Sequence, residues 1–118
     1  MTILNFKKKF SLEKRKEESE KIKNKYPNRY PIIVNKSKTS KLEDIDKSKF
    51  LAPGDLTMGQ FQYVVRKRIT LKEEESLFLF INDKTLINGS ENLAKIYDEY
   101  KDEDGFLYIT YSGENTFG

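Results

Sequence analysis

The sequence predicts an α+β domain, because segments of strand character and segments of helical periodicity follow one another after residue 30. Residues 77–81 form a continuous apolar run of strand length, which predicts a central strand buried on both faces. Phe61, Val64 and Val65 recur at the spacing of one helix face. The 118 residues include 8 Phe and 7 Tyr, enough large apolar side chains for one folded domain with a charged surface.

The first 29 residues predict a polar, helical extension. Ser11 suits the N-cap position, and Glu17 and Lys21 stand four residues apart in the order that stabilises a helix. Apolar residues such as Phe10 and Ile22 are sparse in this segment. A helix with so few apolar side chains cannot form a core alone, so we expect it to lie on the rest of the domain.

The next part of the chain predicts two strands and a helix. Residues 30–34 are rich in β-branched side chains and residues 49–52 precede a Pro-Gly pair, so each predicts a short strand. Thr57 and Gln60 form the pattern of a capping box, with Thr as the N-cap and Gln three residues later. They predict the start of the helix that carries Phe61.

The C-terminal part predicts three further elements after the central strand. A short strand is expected near Leu86, a short helix capped by Ser90, and a last strand over residues 106–111 after the turn pair Asp104-Gly105. The order of strands and helices from residue 30 is compatible with a β-grasp sheet packed on one helix.

Composition excludes several classes of site. The chain has no Cys, His or Trp, which excludes disulfides, Cys/His zinc sites, cysteine nucleophiles and imidazole-dependent triads. An enzyme could still use carboxylates or Lys, but the usual catalytic side chains are missing, and we expect no metal, no cofactor and no catalytic residue. The net charge of +3 is too balanced for a dedicated nucleic-acid binder, although basic residues crowd the first 29 positions.

No apolar stretch approaches the roughly 20 residues of a membrane span, and the N-terminus lacks a signal core, so we expect a soluble cytoplasmic chain.

Five blocks of sequence carry a resemblance to a known family. They are DGFLYITYSGENTFG at 104–118, FSLEKR at 10–15, IDKSKFLAP at 45–53, LTMGQF at 56–61 and VRKRI at 65–69. Together they resemble the autophagy ubiquitin-like modifiers, the family of GABARAP and its relatives.

The resemblance implies a ubiquitin-like β-grasp with two additional N-terminal helices. It implies a helical extension over residues 1–29 and a β-grasp domain over residues 30–118 with a flexible tail at residues 112–118.

The resemblance also implies that Gly118 is a chemical handle. In that family an activating enzyme adenylates the glycine carboxylate, a conjugating enzyme receives it as a thioester, and it ends as an amide on phosphatidylethanolamine. A cysteine protease removes the modifier again. The chain would then be a substrate and not an enzyme, anchored on autophagosomes or related vesicles after lipidation. A glycine suits this chemistry because it has no side chain to block narrow clefts or attack on its carbonyl.

A groove for receptors and adaptors is the second implication of the resemblance. These partners carry aromatic-x-x-aliphatic motifs preceded by acidic residues, and such a peptide would add a strand beside residues 47–52. The residues matched to the aromatic pocket are Glu18, Ile22, Pro31, Ile33, Lys49, Leu51 and Phe106. The residues matched to the aliphatic pocket are Phe50, Ala52, Pro53, Leu56, Phe61 and Val64. The basic residues expected to attract the acidic flank are Arg29, Lys47, Lys49 and Arg66.

One position departs from the family. Ala52 is smaller than the branched residue common there, which predicts a roomier aliphatic pocket.

Three other functions are compatible with parts of the sequence. An unconjugated ubiquitin-like adaptor could bind acidic peptides or cytoskeleton. A nucleic-acid or microtubule-binding domain could use the N-terminal lysines, but the charge balance argues against it. A carboxylate-based enzyme is the weakest alternative, because no pair of acidic residues lies in an apolar motif. The chain is expected to be a monomer.

Overall fold

The computed structural model describes residues 3–82 and 84–113, with side chains described from Phe6 onward. Within these ranges the strands form one sheet in the order β2-β1-β5-β3-β4, in which β1 and β5 run parallel and the other neighbours antiparallel. The elements are α1 (Ile3–Lys9), α2 (Leu12–Lys25), β1 (Arg29–Lys36), β2 (Lys49–Pro53), α3 (Met58–Lys67), β3 (Phe78–Ile81), β4 (Thr85–Leu86), α4 (Leu93–Tyr100) and β5 (Leu107–Ser112). The predicted α+β class and the two N-terminal helices are confirmed.

Both faces of β1 are covered, which explains its run of consecutive buried residues. Ile32 and Val34 belong to the main core, which also contains Phe61 and Val65 of α3. Ile33 points to the opposite face, where it forms a second cluster with Phe106 and Tyr108. The side chains that cover this second cluster from the N-terminal helices are Phe6 and Ile22.

The capping box predicted for α3 is confirmed. The Thr57 hydroxyl accepts from the Gln60 N–H at 3.2 Å, and the Gln60 side-chain oxygen accepts from the Thr57 N–H at 2.9 Å. The helix buries Phe61 and Val65, but Val64 is 38% exposed. Val64 therefore lies at the border of the apolar face, where a side chain is accessible from outside.

Two local predictions were wrong. Asn92, not Ser90, is the N-cap of α4, because the Ser90 N–H and hydroxyl both donate to the Asn88 side-chain oxygen at 2.9 Å and form a turn. Ser112 was predicted to begin the tail, yet it is buried and is the last residue of β5, where it pairs with Phe78. The predicted strand near Leu86 is confirmed as β4.

Asp104 connects α2 to the sheet from a fully buried position. Its carboxylate accepts from the Arg15 guanidinium at 2.7 Å, from the Tyr108 hydroxyl at 2.5 Å and from the Phe106 N–H at 2.8 Å. Its carbonyl accepts from the Ser19 hydroxyl at 2.6 Å. Burial and the contact with Asp104 raise the pKa of Tyr108 above its ordinary value, so the phenol stays protonated and acts as a donor.

The turn that follows Asp104 requires glycine. Gly105 has a φ of +86°, and a Cβ there would lie 2.3 Å from the Ser19 Oγ. The sequence predicted the turn from the Asp104-Gly105 pair. The close approach of α2 adds a second reason for the absence of a side chain.

A second polar contact holds α1. The Lys7 ammonium lies 2.7 Å from the Asp102 carboxylate and 4.8 Å from the centre of the Tyr108 ring. Partial burial alone would raise the pKa of Asp102, but the hydrogen bond from Lys7, the Asp104 N–H and the nearby positive charges lower it below the ordinary value. The ring of Phe6 packs edge-on against Phe106, with centroids 5.2 Å apart.

Replacing Asp104 tests the buried connection. Asp104→Ala leaves the Arg15 guanidinium and the Tyr108 hydroxyl without their shared acceptor, and we expect a loss of about 3 kcal/mol in the free energy of unfolding. Chemical denaturation measures the loss, with the exposed neighbour changed in Glu103→Ala as the control. Equal stability of the two variants would contradict the assigned role of Asp104.

The contact between Lys7 and Asp102 predicts a pH-dependent stability. A carboxyl whose folded pKa is depressed stabilises the protein above its unfolded pKa and loses this contribution as pH falls through the folded pKa. Lys7→Met should therefore cost about 1 kcal/mol at neutral pH, and the difference from the parent should shrink below about pH 4. Denaturation across this range measures it, with Lys8→Met as the charge-matched control. A difference that stays constant with pH would exclude the ion pair as its cause.

Candidate functional site

The strand β2 forms one edge of the sheet, since the described residues place only β1 beside it. The Val34 N–H donates to the Ser48 carbonyl at 2.7 Å, which sets the alternation of the antiparallel ladder. Lys49 and Leu51 therefore occupy non-hydrogen-bonded positions, with their backbone groups directed at the open edge. Pro31 lies opposite Leu51 and has no N–H to donate, in agreement with this register.

Side chains of β2 alternate between the two faces of the sheet. Lys49 and Leu51 lie on the face covered by α2, where Lys49 forms an ion pair with Glu18. Phe50 and Ala52 lie on the face covered by α3, where the Phe50 and Phe61 rings are 5.6 Å apart. The open edge thus has one group of side chains on each face.

The residues predicted for the aromatic pocket meet on the α2 face. Ile33 and Phe106 are fully buried and form its base, and Ile22 packs on them from α2. Leu51 is half-buried beside Pro31, and the Glu18–Lys49 ion pair spans from α2 to β2. An apolar ring arriving at the edge could contact Ile22 and Leu51, while the base itself is core.

Most of the residues predicted for the aliphatic pocket lie on the α3 face. Phe50, Ala52 and Phe61 are buried within the main core. The accessible apolar side chains of this group on that face are Leu56, in the loop before α3, and Val64 of α3. Pro53 is the last residue of β2 and alternates to the same face as Leu51. A small aliphatic side chain could lie beside Leu56 and Val64, above Ala52.

The predicted basic residues lie at separate places around the edge. Lys47 is exposed just before β2, with its ammonium 5.2 Å from the centre of the Phe50 ring. Arg29 lies at the other end, opposite Pro53, and donates to the Leu51 carbonyl at 2.9 Å. Arg66 donates to the carbonyl of Lys72 at 3.0 Å, which directs it toward the loop after α3. Lys47 and Arg29 therefore flank the edge, whereas Arg66 is directed at the loop after α3.

The sequence interpretation missed Tyr63, which is 60% exposed next to Val64. The Lys67 ammonium lies 4.5 Å from the centre of its ring. Tyr63 falls off the apolar stripe that marks the core face of α3, and that position is the signal for an outward-facing aromatic side chain.

The described residues hold neither a metal cluster nor a membrane-spanning helix. Gly118 lies outside the described residues. At Gly113, the last described residue, an added Cβ would lie 3.4 Å from the Leu42 side chain. Among residues 3–82 and 84–113, no cluster of three or more Asp and Glu side chains is arranged to hold a metal ion. No helix in the described part of the chain is long and apolar enough to cross a membrane.

Comparison with known proteins gives consistent similarities along the chain. The family described as "Autophagy protein Atg8 ubiquitin like" matches residues 14–118. Autophagy-related protein 8 of Schizosaccharomyces pombe is 57% identical over 113 residues, 96% of this chain and 93% of that protein. Autophagy-related protein 8c of Arabidopsis thaliana is 54% identical over 118 residues, 100% of this chain and 98% of that protein. The crystal structure of Trypanosoma brucei ATG8 superposes with a TM-score of 0.87 at 47% identity, covering 96% of this chain and 97% of that one.

Proposed function

Because the chain belongs to the Atg8 family of ubiquitin-like autophagy proteins, we propose that it is a modifier conjugated through Gly118 to phosphatidylethanolamine on autophagosomal or related membranes. We also propose that it recruits receptors and adaptors with aromatic-x-x-aliphatic motifs. The observation that carries the recruiting role is the open edge of β2, which has an accessible apolar group on each face.

The spacing of the motif fits this edge. Residues three apart in an extended strand point to opposite faces, so the aromatic and aliphatic residues of one peptide strand would leave on opposite sides. Paired with Lys49 and Leu51, the peptide would direct its aromatic ring toward Ile22 and its aliphatic side chain toward Val64. Main-chain hydrogen bonds would supply affinity and the two apolar groups would supply selectivity.

Charge favours acidic peptides at this edge. Lys47 and Arg29 flank β2, and Lys49 lies between them in an ion pair with Glu18. These exposed charges would mainly speed the encounter with acidic segments and reject basic ones, and their effect would weaken with salt.

The tail would take part as substrate rather than as catalyst. An activating enzyme would use ATP to convert the Gly118 carboxylate to an adenylate with release of pyrophosphate, and its own thiolate would displace AMP to form a thioester. A thiolate of the conjugating enzyme would then take the chain by thioester exchange and release the thiol of the activating enzyme. The lipid amine would then attack the thioester carbonyl, form the amide and release the thiol. The two acyl chains bring roughly 0.8 kcal/mol per buried CH₂, enough for stable anchoring. A cysteine protease would hydrolyse the amide and return the chain to the cytoplasm.

Conjugation predicts a lipid-modified species in cells. The intact mass of the chain should include a form heavier by one phosphatidylethanolamine, and Gly118→Ala should lack it. Asn115→Ala keeps the C-terminal glycine and serves as the control for changes in the tail. If no lipidated form is found in fed or starved cells, the chain acts as an unconjugated adaptor.

The size of Ala52 predicts a preference among peptides. Ala52→Val adds two methyl groups below Leu56 and Val64 and makes the aliphatic pocket shallower, so a Leu peptide should lose more affinity than a Val peptide. We expect the Leu-to-Val affinity ratio to fall about fourfold, the value of one methylene. Calorimetric titration measures it, with Ala94→Val on α4 as the matched control. Unchanged ratios in Ala52→Val would show that Ala52 does not set the depth of the pocket.

A further inference from the structure

The open edge of β2 is already occupied at one acceptor in the free chain. The Arg29 guanidinium donates to the Leu51 carbonyl at 2.9 Å. Leu51 stands at a non-hydrogen-bonded position, so this carbonyl is one of the groups that a strand added to β2 would use. Arg29 itself is exposed on β1 and reaches across β2 to make the contact.

We propose that Arg29 guards the β2 edge, so that a strand pairing with Leu51 must first displace the guanidinium. For peptide strands this inference rests on the proposed recruiting function. The guard also acts against pairing with β2 of a second copy of the chain, and that part is independent of any peptide partner.

The other residues of β2 leave the Leu51 carbonyl as the position that needs protection. Pro53 has no N–H, so the C-terminal end of the strand cannot donate to a neighbour. Lys49 places a charged side chain beside the N-terminal end, paired with Glu18. Leu51 lies midway between them with an apolar, half-buried side chain that would not by itself deter another strand.

Displacement of Arg29 also discriminates between peptides. A peptide without acidic residues donates a hydrogen bond to the Leu51 carbonyl, and the displaced Arg29 guanidinium then bonds only to water. A peptide with a carboxylate near this point offers Arg29 a charge-assisted hydrogen bond, which is stronger than a bond to a neutral carbonyl. The displacement of Arg29 therefore lowers the affinity of neutral peptides, whereas acidic peptides regain this affinity by bonding to the guanidinium.

The experiment compares two peptides and three proteins. The peptides share one aromatic-x-x-aliphatic motif, with acidic residues in one and glutamines in their place in the other. The proteins are the parent, Arg29→Met, which keeps the side-chain length without donors, and Lys38→Met, which removes one exposed charge elsewhere. Affinity is measured by calorimetry, and self-association by sedimentation at high concentration.

We expect Arg29→Met to bind the glutamine peptide about fivefold more tightly than the parent, because the peptide no longer has to displace one hydrogen bond. The acidic peptide should show no such gain, and Lys38→Met should bind the glutamine peptide like the parent. Arg29→Met should also dimerise where the other two proteins remain monomeric.

Equal binding of the glutamine peptide by Arg29→Met and the parent overturns the proposal. If the parent binds neither peptide, the recruiting function fails, and self-association alone then decides about the guard. A monomeric Arg29→Met overturns the guard in that case, and a dimer supports it. Circular dichroism verifies that each variant is folded, with Arg29→Gln as the substitute if Arg29→Met is not.

Discussion

The burial of β1 on both faces is the constraint on which the rest of the structure depends. Ile32, Ile33 and Val34 are consecutive and fully buried, so apolar side chains leave this strand in both directions. A sheet with two apolar faces needs a layer on each. The helices α3 and α4 cover one face, and the N-terminal helices cover the other, so the extension shields the second apolar cluster from water.

The extension is held mainly by polar contacts, because α2 has too few apolar side chains to bind by burial alone. Arg15 and Ser19 both bond to Asp104, and the ring of Phe6 and the side chain of Ile22 add a small apolar contact. Glu18 follows Arg15 by one helical turn, as Ile22 follows Ser19. The hydrogen bonds around Asp104 therefore also set the positions of Glu18 and Ile22 relative to β2.

Local signals predicted the fold well, and contacts between distant segments explain what they missed. The capping box at Thr57 and the Asp104-Gly105 turn depend on neighbouring residues, so the sequence predicted both. The bond from Arg15 to Asp104 joins residues 89 positions apart, and no periodicity reports such a pair. Several residues matched to the groove lie around the β2 edge, whereas Arg66 is directed at the loop after α3. No local pattern predicts that Arg29 donates to the Leu51 carbonyl.

The topology separates the two proposed activities. β5 lies between β1 and β3, so the chain leaves the sheet from the end of an interior strand and not from an edge. β1 runs parallel to β5 and antiparallel to β2, which places the end of β5 at the same end of the sheet as the start of β2. These strands are two spacings apart, roughly 10 Å. In the proposed function, the chain therefore leaves the sheet toward Gly118 at the end where β2 begins, and the open edge of β2 extends from there along its length, so anchoring and recruitment use different parts of the sheet.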